Sequence, residues 1–357
     1  MVPALDVATD EDRLSRKLTV PDSASKRPNV NTNVQLRQGT IDAQIAGRLR
    51  AAAATAPHRT SQVLEASVST YNHLVIDRSL PGQWTATFSN PPINAVEASA
   101  IVEFQCLITE LESEPTVKVI VFQASDPEFF MSHADSSKPG ESPHSFGPTG
   151  YSPWIDFVLR LSRSPVVSIA KIRGRARGIG NEFVLACDMR FASRQKAIFG
   201  NPEIGVGLPP GGGALEWLPR VVGRSRALEI SLTGDDFDAD IAERYGWVNR
   251  AVDDCILDAY VERLARRLAS FDRGTIAAVK NQINRVGLPR GVDIESSYGV
   301  FFAATASSRV QSRRAKAYEL GFGARGQFEL NIGGVTAIAG PRLGLANSSL
   351  DADSHRG

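Results

Sequence analysis

Strand-like and helix-like segments alternate along most of this chain, and the alternation restricts the fold more than any other feature. Residues 67–79 and 82–90 alternate apolar with polar side chains and are separated by a Pro-Gly pair, which predicts two strands joined by a turn. Apolar residues recur at helical spacing over 95–113, with Asn94 as the predicted N-cap, and 117–125 predicts a buried strand. This order predicts an α/β domain.

Further elements of both kinds follow. A helix, a strand and another helix are predicted over 154–161, 166–172 and 182–186. Beyond a final pair of short strands the predicted elements are helices, including long stretches across 256–285 and 292–319. A strand-rich front and a helical C-terminal part are therefore expected.

Changes in composition divide the chain into four predicted parts. Residues 1–65 are rich in Asp, Ser, Arg, Pro and Ala and poor in core-forming side chains, so this extension is expected to be disordered, although 41–54 has good helix formers. The catalytic-domain core is placed at 66–255 and a helical region at 256–335. A flexible tail is placed at 336–357.

Overall composition excludes several classes of protein. Lys and Arg total 40 against 39 Asp and Glu, which gives no reason to expect nucleic acid or a membrane surface as partner. Cys106, Cys187 and Cys255 are too scattered for a disulfide framework or a zinc site, so buried reduced thiols and no bound metal are expected. No apolar stretch reaches the roughly 18 residues of a membrane helix. A soluble cytoplasmic protein is expected, or an organellar one if 41–54 belongs to a transit segment.

A glycine-rich turn, GRARGIGNEF at 174–183, lies between a predicted strand and an apolar helix. Its glycines permit a sharp turn, and a helix N-terminus directs free N–H groups at negative charge, so the turn is a candidate anion site. A tight turn without a ligand is the alternative. Glu182 directly follows the turn, and it serves either in catalysis or only as a first-turn capping residue.

Two loops carry further candidates. Glu203 lies in FGNPEIGVGLPPGGG, residues 199–213, where the density of Gly and Pro forces an irregular backbone suited to binding, although a solvated loop Glu has the same pattern. The segment PEFFMSHAD, residues 127–135, ends a predicted strand and precedes a long Ser/Pro/Gly-rich loop, residues 136–152. A loop of that length is typically a lid or a binding loop, or else disordered.

Taken together, four blocks resemble the signature blocks of the enoyl-CoA hydratase/isomerase (crotonase) superfamily in order and separation: NPPINAV, EFFMSHAD, RGRARGIGNEFVLACD and FGNPEIGVGLPPGGG. The resemblance covers roughly residues 68–325. It implies an α/β fold, a crotonase-like spiral of β-β-α turns, with a helical C-terminal region that forms a homotrimer or a dimer of trimers.

The resemblance also implies roles for four positions. Backbone N–H groups of Ala134 and Ile179 would form an oxyanion hole for the thioester carbonyl. Glu182 would deprotonate the water that attacks C3, and Glu203 would deliver a proton to C2. Hydratases of the family keep both carboxylates, whereas double-bond isomerases commonly keep only the later one.

Substrate-binding positions implied by the resemblance are His133, Asp135, Gly178, Pro202 and Gly207. Two residues depart from the family pattern, which usually has Gly where this chain has His133 and Ile179. Their side chains add bulk beside the thioester and cannot easily adopt positive φ, which puts the shape of the substrate in question. His133 is expected to be a hydrogen-bonded structural imidazole, with a third acid/base group as the alternative.

The leading hypothesis is an enzyme that adds water across the 2,3 double bond of an enoyl-CoA thioester. No cofactor is expected, because coenzyme A enters as part of the substrate. The first alternative keeps the oxyanion hole for another acyl-CoA reaction, such as isomerisation, lyase cleavage or thioester hydrolysis, with the change housed in the loop 136–152. The second is a non-catalytic acyl-CoA-binding protein.

Overall fold

The structure is a computed structural model that describes residues 71–135 and 145–338, except for the side chains of residues 336–338. The predicted extension 1–65, with the helix inside it, lies outside the described residues. Of the predicted tail 336–357, the first three residues continue a helix and the remainder lies outside the description.

The strands of the described residues form two sheets. In chain order they are β1 (Leu74–Leu80), β2 (Gln83–Phe88), β3 (Val119–Ala124), β4 (Phe129–Met131), β5 (Val167–Ile172), β6 (Arg175–Arg177), β7 (Met189–Ser193), β8 (Ile198–Gly200), β9 (Phe237–Asp238) and β10 (Arg250–Val252). The larger sheet has the order β1-β2-β3-β5-β7-β10 and is parallel except for the β1–β2 hairpin. The smaller has the order β4-β6-β8-β9, with only β9 antiparallel.

Helices connect the parallel strands and make up the C-terminal part. They are α1 (Ala98–Ser113), α2 (Pro153–Arg163), α3 (Ile179–Ala186), α4 (Ala214–Val221), α5 (Arg224–Thr233), α6 (Ala239–Tyr245), α7 (Asp254–Ala269), α8 (Arg273–Gly287), α9 (Gly291–Thr305), α10 (Ser308–Glu319), α11 (Gln327–Leu330) and α12 (Ile332–Ile338), with a 3-10 helix at Pro202–Val206. None of the described helices is long and apolar enough to cross a membrane.

Helix α3 is fixed in the core by aromatic packing. The Phe183 ring lies 5.4 Å from the Phe104 ring of α1 and 5.9 Å from the Phe157 ring of α2, measured between ring centroids. All three side chains are fully buried. Burying such a ring contributes about 1.5–3 kcal/mol each, so the helix that carries Glu182 is held on a rigid base.

The larger sheet is covered on both faces, as expected of parallel strands. Along β3, Ile120 and Phe122 pack into the main core, while the alternate residues Val119 and Val121 pack against α7 through Leu257 and its neighbours. The β-strand period of two therefore separates the two apolar layers.

Two local predictions were wrong. Asn94 is not the N-cap of α1, because Glu97 occupies that position. Asn94 instead has a φ of 54° and donates from Nδ2 to the Phe129 carbonyl at 2.8 Å, so a tertiary contact holds it in a turn.

The second wrong prediction is that all three cysteines are buried. Cys187 is buried but Cys106 and Cys255 are exposed, although all three are free thiols.

The two long C-terminal helical stretches are confirmed, and each consists of two helices. After α7 ends, Asp272 is the N-cap residue of α8, and its side chain accepts a hydrogen bond from Thr275 N–H at 2.7 Å. Such a cap satisfies an N–H group that has no acceptor inside the helix. The second stretch divides between α9 and α10, where Ser307 is the N-cap residue.

Candidate active site

A cavity of about 390 Å³ lies where the smaller sheet, α3, the 3-10 helix and the C-terminal helices meet. Eight of the nine predicted site residues line it, namely His133, Ala134, Asp135, Gly178, Ile179, Glu182, Pro202 and Glu203. They come from three separate segments of the sequence, which the parallel pairing of β4, β6 and β8 brings side by side.

The Ala134 amide faces away from the neighbouring backbone. Val96 N–H donates to the His133 carbonyl and Asp135 N–H donates to the Val96 carbonyl, both at 2.9 Å. Since successive residues of an extended chain point their N–H groups to opposite sides, the N–H of Ala134 points away from Val96. Ala134 itself lines the cavity.

The Ile179 amide is the first of helix α3 and follows a turn made by glycine. The positive φ of this turn, 51°, belongs to Gly178, so the Ile179 side chain adds no backbone strain. An N–H at the first helical position has no acceptor within the helix. Gly180 lets α3 approach β4 closely, because a Cβ there would lie 2.1 Å from the Met131 carbonyl oxygen.

Glu182 is held by backbone donors from another loop. Its Oε1 accepts from Gly212 N–H at 2.6 Å and, more weakly, from Ala214 N–H at 3.5 Å. Glu182 is only 3% exposed, and no side-chain cap is formed at the N-terminus of α3. The capping interpretation of Glu182 is therefore wrong, since its carboxyl is committed to the Gly212 loop.

Glu203 enters the cavity from the 3-10 helix and is held by side chains. Asn201 Nδ2 lies 3.4 Å from Glu203 Oε1, Asn181 Nδ2 donates to Asn201 Oδ1 at 2.7 Å, and Trp247 Nε1 donates to Asn181 Oδ1 at 2.9 Å. The second carboxyl oxygen, Oε2, is buried and has no hydrogen-bond partner among the described residues. A buried polar atom of this kind is costly unless a ligand or water meets it.

The protein environment raises the pKa of both carboxyls. Desolvation is the largest cause for Glu182, followed by repulsion from Glu203, and its pKa rises to about 8. Desolvation also dominates for Glu203, opposed by hydrogen bonding and by the His133 charge, and its pKa rises to about 7. Near neutral pH the pair therefore holds a single proton, which provides one acid and one base in the same cavity.

His133 is a buried, hydrogen-bonded imidazole, as the sequence predicted, but its partner comes from the far end of the chain. Its Nε2 lies 2.9 Å from Glu329 Oε1 and its Nδ1 lies 3.1 Å from the Ala134 carbonyl oxygen. The ring stacks on Phe322 at 4.1 Å between centroids. His133 also lines the cavity beside Gly178.

Gly207 is the one predicted site residue that does not line the cavity. It ends the 3-10 helix in the left-handed conformation, with a φ of 85°. A Cβ there would meet Val310 and Arg313 of α10 at 3.4 Å. Its position indicates a packing role, and substrate binding by Gly207 stays a prediction.

Sequence reasoning missed the part of the wall that comes from α9. The cavity is lined by Tyr298, Phe301 and Phe302. Phe301 packs closely against Gly211, because a Cβ added to Gly211 would lie 2.5 Å from the Cβ of Phe301. The only sequence signal was the aromatic run in α9, which fits a core helix equally well.

Comparisons with known proteins point to one family. The sequence profile of the enoyl-CoA hydratase/isomerase family matches residues 84–312, more than half of the chain. The crotonyl-CoA hydratase of Syntrophomonas wolfei is 29% identical over 65% of this chain and 91% of its own length, and a short-chain-enoyl-CoA hydratase of Clostridioides difficile is 40% identical over 39% and 92%. A solved Streptomyces avermitilis structure, provisionally named an enoyl-CoA hydratase, matches 76% of this chain and 99% of its own at 41% identity and a TM-score of 0.71.

The fold and the cavity are those of the crotonase-fold α/β enzymes with a helical C-terminal region. Within that class, the chain belongs to the enoyl-CoA hydratase/isomerase family. Enzymes of this family act on acyl-CoA thioesters.

Proposed function

We propose that this enzyme adds water across the 2,3 double bond of a 2-enoyl-CoA to give a 3-hydroxyacyl-CoA. The observation that carries the proposal is the presence of Glu182 and Glu203 together in a cavity that Ala134 and Ile179 also line. Water supplies both added groups over a full turnover, so that C3 gains a hydroxyl and C2 gains a hydrogen. A hydratase needs an acid and a base at once, and a pair with one proton supplies both.

Two backbone amides are proposed to bind the thioester carbonyl. The N–H groups of Ala134 and Ile179 would donate to its oxygen, which becomes negative as water attacks C3 and an enolate forms. Each such donor is worth about 3 kcal/mol of transition-state stabilisation. Main-chain donors keep their direction whatever side chain they carry, which is why His133 and Ile179 are compatible with this role.

The two carboxyls are proposed to move the protons. Following the family resemblance, Glu182 takes a proton from water and Glu203 delivers one to C2. The pKa values of about 8 and about 7 favour the opposite resting arrangement, with the shared proton on Glu182.

A short acyl chain is the proposed substrate class. The cavity wall beyond the carboxyls is apolar and aromatic, with Phe301, Phe302 and Leu208, which suits a hydrocarbon tail. Two relatives are named for crotonyl-CoA and for short-chain enoyl-CoA. Crotonyl-CoA is therefore the first substrate to test.

The test is incubation of the full chain with crotonyl-CoA in ¹⁸O-labelled water, followed by mass spectrometry. The proposal predicts an adduct of one labelled water with the oxygen at C3, formed at a rate proportional to enzyme. Glu182→Gln and Glu203→Gln serve as matched controls, since each removes one ionisable group and keeps its shape. Unchanged crotonyl-CoA, or free CoA without the adduct, would exclude hydration of this substrate.

We propose further that the assembly is a homotrimer or a dimer of trimers. Val279, Ile283 and Val286 of α8 are 56%, 66% and 88% exposed and are spaced so that they share one face of the helix. An exposed apolar stripe of this kind marks an interaction surface. Light scattering should give the mass of three or six chains, and Val286→Glu should reduce it. A monomeric mass for the unaltered chain would refute the proposal.

A further inference from the structure

Both ring nitrogens of His133 face oxygen atoms, one of a carbonyl group and one of a carboxyl group. Nδ1 lies 3.1 Å from the Ala134 carbonyl oxygen and Nε2 lies 2.9 Å from Glu329 Oε1. A neutral imidazole has one donor and one acceptor nitrogen, whereas an imidazolium has two donors. If Glu329 is ionised, only the imidazolium satisfies both contacts.

The surroundings of Glu329 favour its ionised form. Burial acts to raise its pKa, but hydrogen bonds from His133 and from Gly323 N–H, together with the nearby Arg177 charge, hold the pKa below the ordinary glutamate value. The Gly323 N–H contact is 2.6 Å long, and the side chain is nearly inaccessible to solvent. Glu329 is thus a buried carboxylate that requires a cationic partner.

The ring is held firmly in this position. Phe322 stacks on it with an angle of 14° between ring planes. Arg177 fixes the segment that carries Glu329, because its Nη1 donates to the Glu329 carbonyl while its guanidinium pairs with Asp236. Arg177 and Asp236 are thus further charged side chains on the side of Glu329, away from the cavity.

On the cavity side, Glu203 lies close to His133, and the other charged side chains that line the cavity are Glu97, Asp135, Glu182 and Arg314. A Cβ added to Gly178 would lie 3.0 Å from Glu203 Oε1 and 3.7 Å from His133 Cβ. The side chains of Glu203 and His133 therefore flank the same glycine. His133 lines the cavity and acts to lower the pKa of Glu203, whereas Glu329 does not line the cavity. The positive end of the ion pair therefore acts on the site while its negative end lies behind.

We propose that His133, held as an imidazolium by Ala134 O and Glu329, is a positioning residue that favours the ionised form of Glu203 and so separates the proton affinities of the two carboxyls. This extends the proposed hydratase function, on which its kinetic test rests. It gives α11 a part in the chemistry, although α11 follows the last family signature block by more than a hundred residues.

The test compares pH profiles of crotonyl-CoA hydration for the unaltered chain, Glu329→Gln and His133→Gln. Glutamine removes the charge in each case and keeps much of the side-chain volume. Removing the cation raises the proton affinity of Glu203, so the lower-pH limb of the profile should move up by about one pH unit in both variants. The direction does not depend on which carboxyl is the acid, because that limb reports the first proton lost by the pair.

Arg325→Gln is the matched control. Arg325 pairs with Asp126 and Glu128 at the surface and so tethers the same C-terminal segment without touching His133. Loosening the segment alone should lower the melting temperature and leave both limbs of the pH profile of hydration unchanged. If the two glutamine variants at the pair behave like Arg325→Gln, the role of His133 is only structural and the proposal is overturned.

A second readout separates this inference from the hydratase proposal. The carboxyl carbon of Glu203 can be titrated by ¹³C NMR in glutamate-labelled protein, with its signal assigned by comparison with Glu203→Gln. The midpoint should rise in Glu329→Gln even if crotonyl-CoA is not turned over. An unchanged midpoint overturns the inference whatever the reaction is.

Discussion

Glu182 and Glu203 reach the same cavity from different kinds of backbone. Glu182 belongs to a regular helix packed in the aromatic core, and backbone N–H groups hold its carboxyl. Glu203 belongs to a 3-10 helix, with one oxygen near Asn201 and the other buried without a partner among the described residues. The first carboxyl is positioned by main chain, and the second depends on side chains.

This difference shows how two buried glutamates can differ in proton affinity. Desolvation raises both pKa values, but only that of Glu203 is opposed by a cationic neighbour, His133. Substitutions near Glu203 should therefore shift the pKa of its carboxyl. Substitutions near Glu182 should instead move its carboxyl out of position. The following predictions test that contrast, beginning with the largest effect.

Replacing either carboxyl by glutamine should nearly abolish hydration. Glu182→Gln and Glu203→Gln each remove one acid/base group, which is worth about a hundred- to ten-thousand-fold in turnover. Binding of a saturated acyl-CoA, measured by calorimetry, should change little, since neither group is needed to hold the thioester. Full activity in either variant would refute the role of that residue.

A methyl group at position 212 should displace Glu182 specifically. A Cβ on Gly212 would lie 2.1 Å from Glu182 Oε2 and 2.5 Å from Trp154 Nε1, so one of these groups must move. Gly212→Ala should lower kcat by about tenfold or more, because small misplacement of a catalytic group is costly. Gly211→Ala is the control, since it crowds Phe301 instead of the carboxyl. Equal losses of kcat in the two variants would show that the effect does not depend on displacing Glu182.

The pH dependence of kcat/KM should be bell-shaped. Below the lower pKa, about 7, both carboxyls are protonated and no base remains, whereas above the upper one, about 8, both are ionised and no acid remains. Activity should fall about tenfold per pH unit on either side. Glu203→Gln should lose one limb. A profile that is flat through neutral pH would contradict the shared proton.

The last prediction concerns stability and is measured independently of turnover. The folded-state pKa of Glu182 is raised from 4.5 to about 8, so its favourable contribution is complete below the lower value and is lost as pH rises through the upper one. Each pH unit in between costs about 1.4 kcal/mol. Urea unfolding at about pH 5 and about pH 9 should show a smaller loss for Glu182→Gln than for the unaltered chain. Equal losses would place the pH dependence elsewhere.

Local sequence was sufficient to predict part of the fold, whereas the residues of the candidate site were predicted as a set only through the family resemblance. The strand, glycine turn and Glu182 are contiguous, so their spacing alone indicated a backbone turn at the start of a helix. Glu329 and His133 are 196 residues apart, and no periodicity or motif links them. The N-cap prediction for Asn94 failed for the same reason. Its side chain makes a tertiary hydrogen bond to the Phe129 carbonyl, which the local sequence does not indicate.

The most direct test is a crystal structure of Glu203→Gln with crotonyl-CoA bound. The proposed mechanism predicts that the thioester oxygen lies about 2.7–3.1 Å from the amide nitrogens of both Ala134 and Ile179. It also predicts that C2 and C3 face residues 203 and 182. A thioester oxygen that contacts neither amide, or an acyl chain bound outside this cavity, would contradict the proposed site and reaction together.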